Sequence, residues 1–321
     1  MLLVPLQISI PEAFFREETR NDFTISEKMK KVWAVEMDLM AEFDRVCKKY
    51  GLRWYADSGT LIGAVRHHGF IPWDDDIDIV MLREDYDRLV SVAESEFQSP
   101  YFFQCAYTDP GFYRGYARLR NSRTTAIGAS DLRNGSNKGI FIDVFCVDYL
   151  PDDPSERSRW IGKIKRLYSL LYIHYEKDHI KETKKRGFLY RAARNCVRSA
   201  LSVYGFDRLF RKYDALCKAY AGTKGKNVSY VAYSRGKAKH IWKAESFESV
   251  EMMPFEFTQI PVPTGFDDRL RTEYGDYMVI RHSATTHGGL ILEPEIPYEE
   301  YLQQHTRQEI EETFRTMMQG E

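Results

Sequence analysis

The sequence predicts an α/β (α+β) fold: a mixed sheet flanked by helices, joined to a mainly α-helical basic subdomain. Three observations carry this expectation. Between residues 52 and 94 the apolar pattern runs strand, turn, helix, strand, helix. Gly139-Ile140-Phe141-Ile142-Asp143-Val144-Phe145-Cys146-Val147 is an almost continuous run of strand-forming residues, as in a central strand. After Pro151-Asp152-Asp153-Pro154, residues 155–226 hold 19 Lys or Arg against 6 Asp or Glu, although the 321-residue chain has a net charge of -1. The expected organisation is a core over 1–150, a basic helical subdomain over 151–245 and a C-terminal segment over 246–321 that packs back on the core.

The elements follow in order. Thr24-Ile25-Ser26-Glu27 fits a capping box, after which Val32, Trp33, Val35, Leu39, Met40, Phe43, Val46 and Cys47 recur at helical spacing until Gly51. That stripe predicts a core-packing helix rather than a cofactor box. Leu52 to Ala56 reads as a short strand, and Gly59-Thr60 opens a helical stretch through Val65 that ends before Gly69. Trp73-Asp74-Asp75-Asp76-Ile77-Asp78-Ile79-Val80 leads into a second strand, and Arg83 to Glu94 forms an amphipathic helix with Tyr86, Leu89, Val90 and Ala93 on its apolar face. Tyr113 to Arg120 alternates like a strand that places Arg114, Tyr116, Arg118 and Arg120 on one face. Arg159 to Tyr175 and Phe188 to Val203 have helical length and mix aromatic, leucine and basic residues.

The chemistry concentrates around residues 58–78. On a strand, Asp76 and Asp78 point to one face, and two ionised carboxylates that close call for a cation between them. A hard ion with oxygen ligands suits the pair, Mg²⁺ first and Mn²⁺ as the alternative. Just upstream, Ser58, Gly59, Thr60 and Gly63 form a turn and helix start whose backbone N–H groups suit a phosphate, with Arg66 adding positive charge. Asp143 is the single break in its apolar run. Alone it reads as a buried aspartate satisfied by backbone or arginine, but beside the Asp76/Asp78 pair it reads as a third metal ligand or a general base. Arg118 and Arg120 read alone as a solvated edge; near a diphosphate they are candidates for bidentate phosphate contacts, with Lys138 a lesser one. Asp148 reads as a surface or capping residue, and Asp74 and Asp75 as loop residues in a supporting role.

The run from Trp54 to Val80, with S-G-T-L-I-G-A-V-R followed by G-F-I-P-W-D-D-D-I-D-I, resembles the LicD family of phosphotransferases, whose relatives include fukutin and fukutin-related protein. The resemblance implies a nucleotidyltransferase-type fold with a Gly-Thr turn, a D-x-D strand and a later-strand carboxylate that falls on Asp143. It implies transfer of phosphocholine or a polyol phosphate from a CDP-linked donor to a glycan hydroxyl, with lipopolysaccharide or teichoic acid precursors as the kind of acceptor. Asp76, Asp78 and Asp143 would then hold one or two Mg²⁺ ions. The segments from Met253 to Phe266 and from Leu270 to Met278 resemble the closing part of such proteins, so the Tyr274-Gly275-Asp276-Tyr277 helix end is expected to return to the site. His282 and His287 are expected at the surface.

Two other classes stay open: a nucleotidyltransferase moving NMP from an NTP, and a non-catalytic nucleotide-binding scaffold. The basic helices suit an anionic membrane surface, and no nucleic-acid motif accompanies their charge. No apolar run has transmembrane length, and Met1 to Leu6 is a poor signal peptide, so a cytoplasmic protein is expected, peripheral at most to the membrane's inner face. The scattered Cys47, Cys105, Cys146, Cys196 and Cys217 suggest free thiols rather than disulfides or a zinc site.

Overall fold

A computed structural model of the chain describes residues 6–109, 112–129, 131–133, 135–175, 187–281 and 289–319. The elements used below are, in chain order, α1 (Glu27–Tyr50), β1 (Tyr55–Ala56), α2 (Ser58–Ile62), β2 (Asp78–Leu82), α3 (Arg83–Glu96), β3 (Tyr101–Gln104), β4 (Ala117–Asn121), β5 (Ile140–Tyr149), α4 (Pro154–Tyr175), α5 (Phe188–Tyr204), α6 (Phe206–Cys217), β6 (Asn227–Ser229), β7 (Ile241–Lys243), β8 (Val250–Phe255), β9 (Thr258–Pro263) and α7 (Phe266–Tyr274). The fold is α/β, a sheet flanked by helices, as the sequence predicts. The chain forms two compact units, one of residues 1–112, 116–146 and 245–321, the other of 113–115 and 147–244.

The first unit is built around α1. Ser26 caps it by accepting the Met29 N–H, and Gly51 ends it in the left-handed conformation at φ 60° that glycine adopts without strain. The expected capping box on Thr24 is corrected, because Thr24 lies in a short strand that pairs with Glu18–Arg20. All eight residues of the predicted stripe are buried, and Trp33 stacks on Phe70 with ring centroids 4.4 Å apart. Cutting Phe43 to alanine removes a fully buried ring, a change that costs about 3–5 kcal/mol.

Against this helix lie the strands that carry the site. β1 pairs antiparallel with β2, β2 neighbours β5, and β4 pairs antiparallel with both β3 and β5. The β4–β5 register sets Arg118 opposite Asp143. β4 is buried along its whole length, so its arginines form no solvated face. The β8–β9 hairpin closes on the segment before the aspartates, where Glu256 takes two hydrogen bonds from Arg20 at 2.6 and 2.9 Å and one from the Phe70 N–H.

In the second unit, α4 packs on α6 and α5. Trp160 Nε1 donates to the Leu216 carbonyl at 2.9 Å, and Tyr213 donates to the Ala232 carbonyl at 2.7 Å. Here β5 continues through Asp148 and Tyr149, which pair with Ser229 and Val228 of β6. This corrects the surface reading of Asp148, whose side chain is fully buried. The helix α5 is different: none of its described side chains is buried, and Val203 is 89% exposed. Among the described residues Cys196 is the exposed thiol, Cys47, Cys105, Cys146 and Cys217 are buried, and all five are free.

Candidate active site

Backbone hydrogen bonds draw three segments to one point. The Asp57 N–H donates to the Asp78 carbonyl at 3.0 Å, the Asp78 N–H to Thr60 Oγ1 at 2.8 Å, and the Asp143 N–H to the Ile77 carbonyl at 2.9 Å. As a result Asp76, Asp78 and Asp143 each present a carboxylate oxygen, all within 4.8 Å of one another. Asp76 lies just before β2 rather than within it, so the convergence comes from the loop's path as well as the strand's pleat. Desolvation, then the charges of Asp76 and Asp143, hold the Asp78 carboxyl well above the usual aspartate range. Three close oxygen donors with mutual repulsion fit a hard divalent cation.

Arg118 Nε donates to Asp143 Oδ1 at 2.6 Å, and its guanidinium lies over the Phe141 ring, 3.7 Å from the centroid. Burial pulls the Arg118 pKa down, but the charge and hydrogen bond of Asp143, together with Tyr116 and Asp131, more than offset this and leave it raised. Arg118 is therefore a positioning residue for Asp143. Arg120 donates to Gln104 Oε1 at 2.6 Å and to the Gly139 carbonyl at 2.5 Å, and Lys138 to the Ser136 carbonyl at 2.7 Å. Both have internal partners and are buried.

The turn before α2 is also occupied from within. Asp57 accepts the Ser58 N–H at 2.8 Å and forms a buried ion pair with Arg269 of α7. Ser58 has φ 44°, a left-handed conformation that costs a non-glycine residue about 1–3 kcal/mol and tends to occur at functional sites. Asp74 Oδ2 sits where a side chain on residue 59 would begin, so any larger residue there would have to push the Asp74 carboxylate aside. Gly63 is held more strictly, because a Cβ there would run into the Gly69 backbone carbonyl. Arg66 belongs to the π-helical turn Gly63–His67 and donates to the carbonyls of Tyr277 and Val279, and burial lowers its pKa.

Three participants escape sequence reading: Asp57, Arg269 and Glu36. Tyr274 also belongs at the site: its hydroxyl pKa is pushed up by burial and then by Glu273, and nearby the Tyr277 carbonyl accepts from Arg66. The expected return of the Tyr274–Tyr277 helix end to this place is observed. On α1, Glu36 is 1% exposed, its Oε2 lacks a hydrogen-bond partner, and desolvation followed by Asp76, Asp75 and Asp74 raises its carboxyl well above the ordinary range. Asp74, Asp75 and Asp76 also bring one oxygen each within 4.8 Å. One signal was legible: Glu36 falls one turn after Trp33, whose Nε1 donates to the Asp74 carbonyl at 3.0 Å, on a face otherwise apolar. His282 and His287 lie outside the described residues.

The three-carboxylate cluster between a strand and a short capped helix has a donor set that would fit a divalent cation, the kind of centre that suits phosphate chemistry. Residues 51–194 match the family model described as LicD/FKTN/FKRP, nucleotidyltransferase domain. The chain is 31% identical over 249 residues to the lipopolysaccharide cholinephosphotransferase LicD of Haemophilus influenzae (strain ATCC 51907 / DSM 11121 / KW20 / Rd), covering 75% of this chain and 88% of that protein. It is also similar to uncharacterized proteins of Rickettsia prowazekii (strain Madrid E), 32% identical over 36% of this chain and 39% of the relative, and of Rickettsia typhi (strain ATCC VR-144 / Wilmington), 41% identical over 22% and 20%. The chain belongs to the LicD family and is a phosphotransferase.

Proposed function

We propose that this enzyme transfers a phosphorylated alcohol, phosphocholine or a polyol phosphate, from a CDP-linked donor to a hydroxyl of a glycan precursor. The convergence of Asp76, Asp78 and Asp143 carries the reading, and the cholinephosphotransferase name of the Haemophilus relative supports the choice of group. The residues fit one or two Mg²⁺ ions. Bound there, Mg²⁺ would neutralise the donor diphosphate and the charge growing on the leaving CMP.

The chain's own groups do the rest. The acceptor hydroxyl oxygen attacks the phosphorus nearer the alcohol, the bond from that phosphorus to the CMP oxygen breaks, and the acceptor proton is lost. Asp143 is the candidate to take that proton, and Arg118 fixes its orientation through Oδ1. Asp57 and Arg269 lock α2 against α7, which holds Thr60 under the Asp78 backbone.

Product analysis tests the reading. Purified protein with Mg²⁺, a glycan acceptor and CDP-choline, CDP-ribitol or CDP-glycerol is expected to release CMP. Release of pyrophosphate from an NTP instead would identify a nucleotidyltransferase, and neither product would identify a scaffold.

The reading extends to the membrane. No described helix is long and apolar enough to cross one, but α5 carries Arg191, Arg194 and Arg198 together with exposed Tyr190, Val197 and Val203. A basic amphipathic face of this kind suits an anionic lipid surface, where a lipid-linked acceptor would lie. The protein is expected to float with phosphatidylglycerol vesicles at low salt and not with phosphatidylcholine vesicles. Failure to float with either removes the docking idea and leaves the chemistry untouched.

A further inference from the structure

The hairpin β8–β9 turns through Glu256 and Phe257, between the paired Phe255 and Thr258. Glu256 takes the left-handed conformation there, at φ 53°, in a tight turn where glycine or asparagine is the ordinary choice. A strained glutamate needs a reason, and its side chain supplies one. Although it sits at a turn, that side chain is only 5% exposed. Its Oε1 accepts from Arg20 Nη1 at 2.6 Å and from the Phe70 N–H at 3.0 Å, its Oε2 accepts from Arg20 Nη2 at 2.9 Å, and its own N–H donates to the His68 carbonyl at 2.8 Å. A Cβ on residue 69 would strike Oε1, so the glycine there leaves room for the carboxylate.

The segment gripped in this way is the one that delivers the acids. Phe70 stacks on Trp33 and tilts against Phe255 of the hairpin, with ring centroids 4.4 and 4.9 Å apart. From there the chain runs to Asp74, whose N–H donates to the Ile71 carbonyl at 2.9 Å and whose own carbonyl accepts from Trp33 Nε1 at 3.0 Å. Asp76, which belongs to both groups of converging carboxylates, follows directly after Asp75. The hairpin tip, Arg20 and α1 together hold the entry to the acidic loop. Glu256 is not one of the carboxylates that converge on a candidate metal position among the described residues. Its charge meets Arg20 in a two-pronged pair, the geometry that fixes orientation best.

We propose that Glu256 is a positioning residue for the active site: by clamping His68 to Phe70 against Arg20, it sets the path of the loop that delivers Asp76. This rests on the reading above that Asp76 belongs to the catalytic centre. Two measurements on the full chain test it. Hydrogen–deuterium exchange of the metal-free protein reads the clamp without any chemistry: in Glu256→Gly, peptides covering residues 68–76 should exchange about tenfold faster while those of α1 stay protected. CMP release from CDP-choline with Mg²⁺ and acceptor reads the consequence: kcat should fall about thirty- to a hundredfold with KM for CDP-choline within about twofold, because a misplacement of about 1 Å costs rate without removing a binding group. Gly69→Ala, which crowds the same carboxylate from the loop side, should give the same pattern. Glu256→Gln, which keeps an oxygen for the Phe70 N–H, should retain more of kcat than Glu256→Gly. A role confined to the turn predicts the reverse, since glycine is the better turn residue, so an undiminished kcat in Glu256→Gly overturns the proposal. Unchanged exchange over residues 68–76 overturns it too. Wild type that releases no CMP overturns the donor reading instead, and the exchange result then decides the clamp by itself.

Discussion

Asp78→Asn is expected to lower CMP release from the CDP-alcohol substrate by about a thousandfold or more, because the metal-centred stabilisation it helps to hold is worth several kcal/mol and each factor of ten is about 1.4 kcal/mol. The fold should survive, since the Asp78 backbone bonds to Asp57 and Thr60 do not involve its carboxylate. Thermal denaturation supplies a second, activity-free readout. Without metal, desolvation and the neighbouring aspartates keep the Asp78 carboxyl above its usual range. A carboxyl raised in the folded state adds stability below its unfolded pKa, and that contribution is lost as pH rises through the folded value. Metal-free wild type should therefore lose Tm as pH climbs from the ordinary aspartate range toward neutrality, and Asp78→Asn should lose less. Mg²⁺ should raise the Tm of wild type at neutral pH and leave the variant nearly unmoved. Full turnover by Asp78→Asn, or an equal Mg²⁺ response in both proteins, would sink the three-carboxylate assignment.

The second large effect belongs to Arg118. Arg118→Met leaves Asp143, 3% exposed, without its guanidinium partner, and breaking one side of such a buried pair costs about 3–5 kcal/mol. Urea denaturation should show this as a lower midpoint at an unchanged slope. The double variant Arg118→Met/Asp143→Leu should recover most of the stability, because a well-packed apolar pair often matches a buried ion pair. It should recover none of the activity. A single Arg118→Met variant as stable as wild type would mean that Asp143 is balanced by something other than Arg118.

These two residues also show where sequence reading stops. The stripe on α1 was legible because helical spacing is a local property, and every residue it named is in the core. The Thr24 capping box failed because the same letters were claimed by pairing with Glu18–Arg20, a contact that the four-residue pattern does not contain. Alternation set Arg118 and Arg120 on a common face correctly, and both guanidinium groups lie over Phe141. It could not say that the face is buried or that the strand register delivers Asp143 to Arg118. Asp148 was misplaced for the same reason: its partner Ser229 lies far along the chain. The aspartates were found because a carboxylate in an apolar run is locally anomalous. Asp57, Arg269 and Glu36 were not, because each is an ordinary letter in its own neighbourhood and acquires meaning only from a distant one.

The pairing of Asp57 with Arg269 sets an order of events during synthesis. All three site aspartates and the turn before α2 are made well before Arg269, with residues 147–244, which belong to the other compact unit, intervening. At roughly 5–20 residues per second, more than a hundred residues of delay leave the growing chain several seconds or longer with its clustered acids made and Asp57 still waiting for its counter-charge. The carboxylate centre is thus completed late, when α7 arrives to close it, so a ribosome-bound chain halted before residue 269 should carry the acids of the enzyme without its finished site.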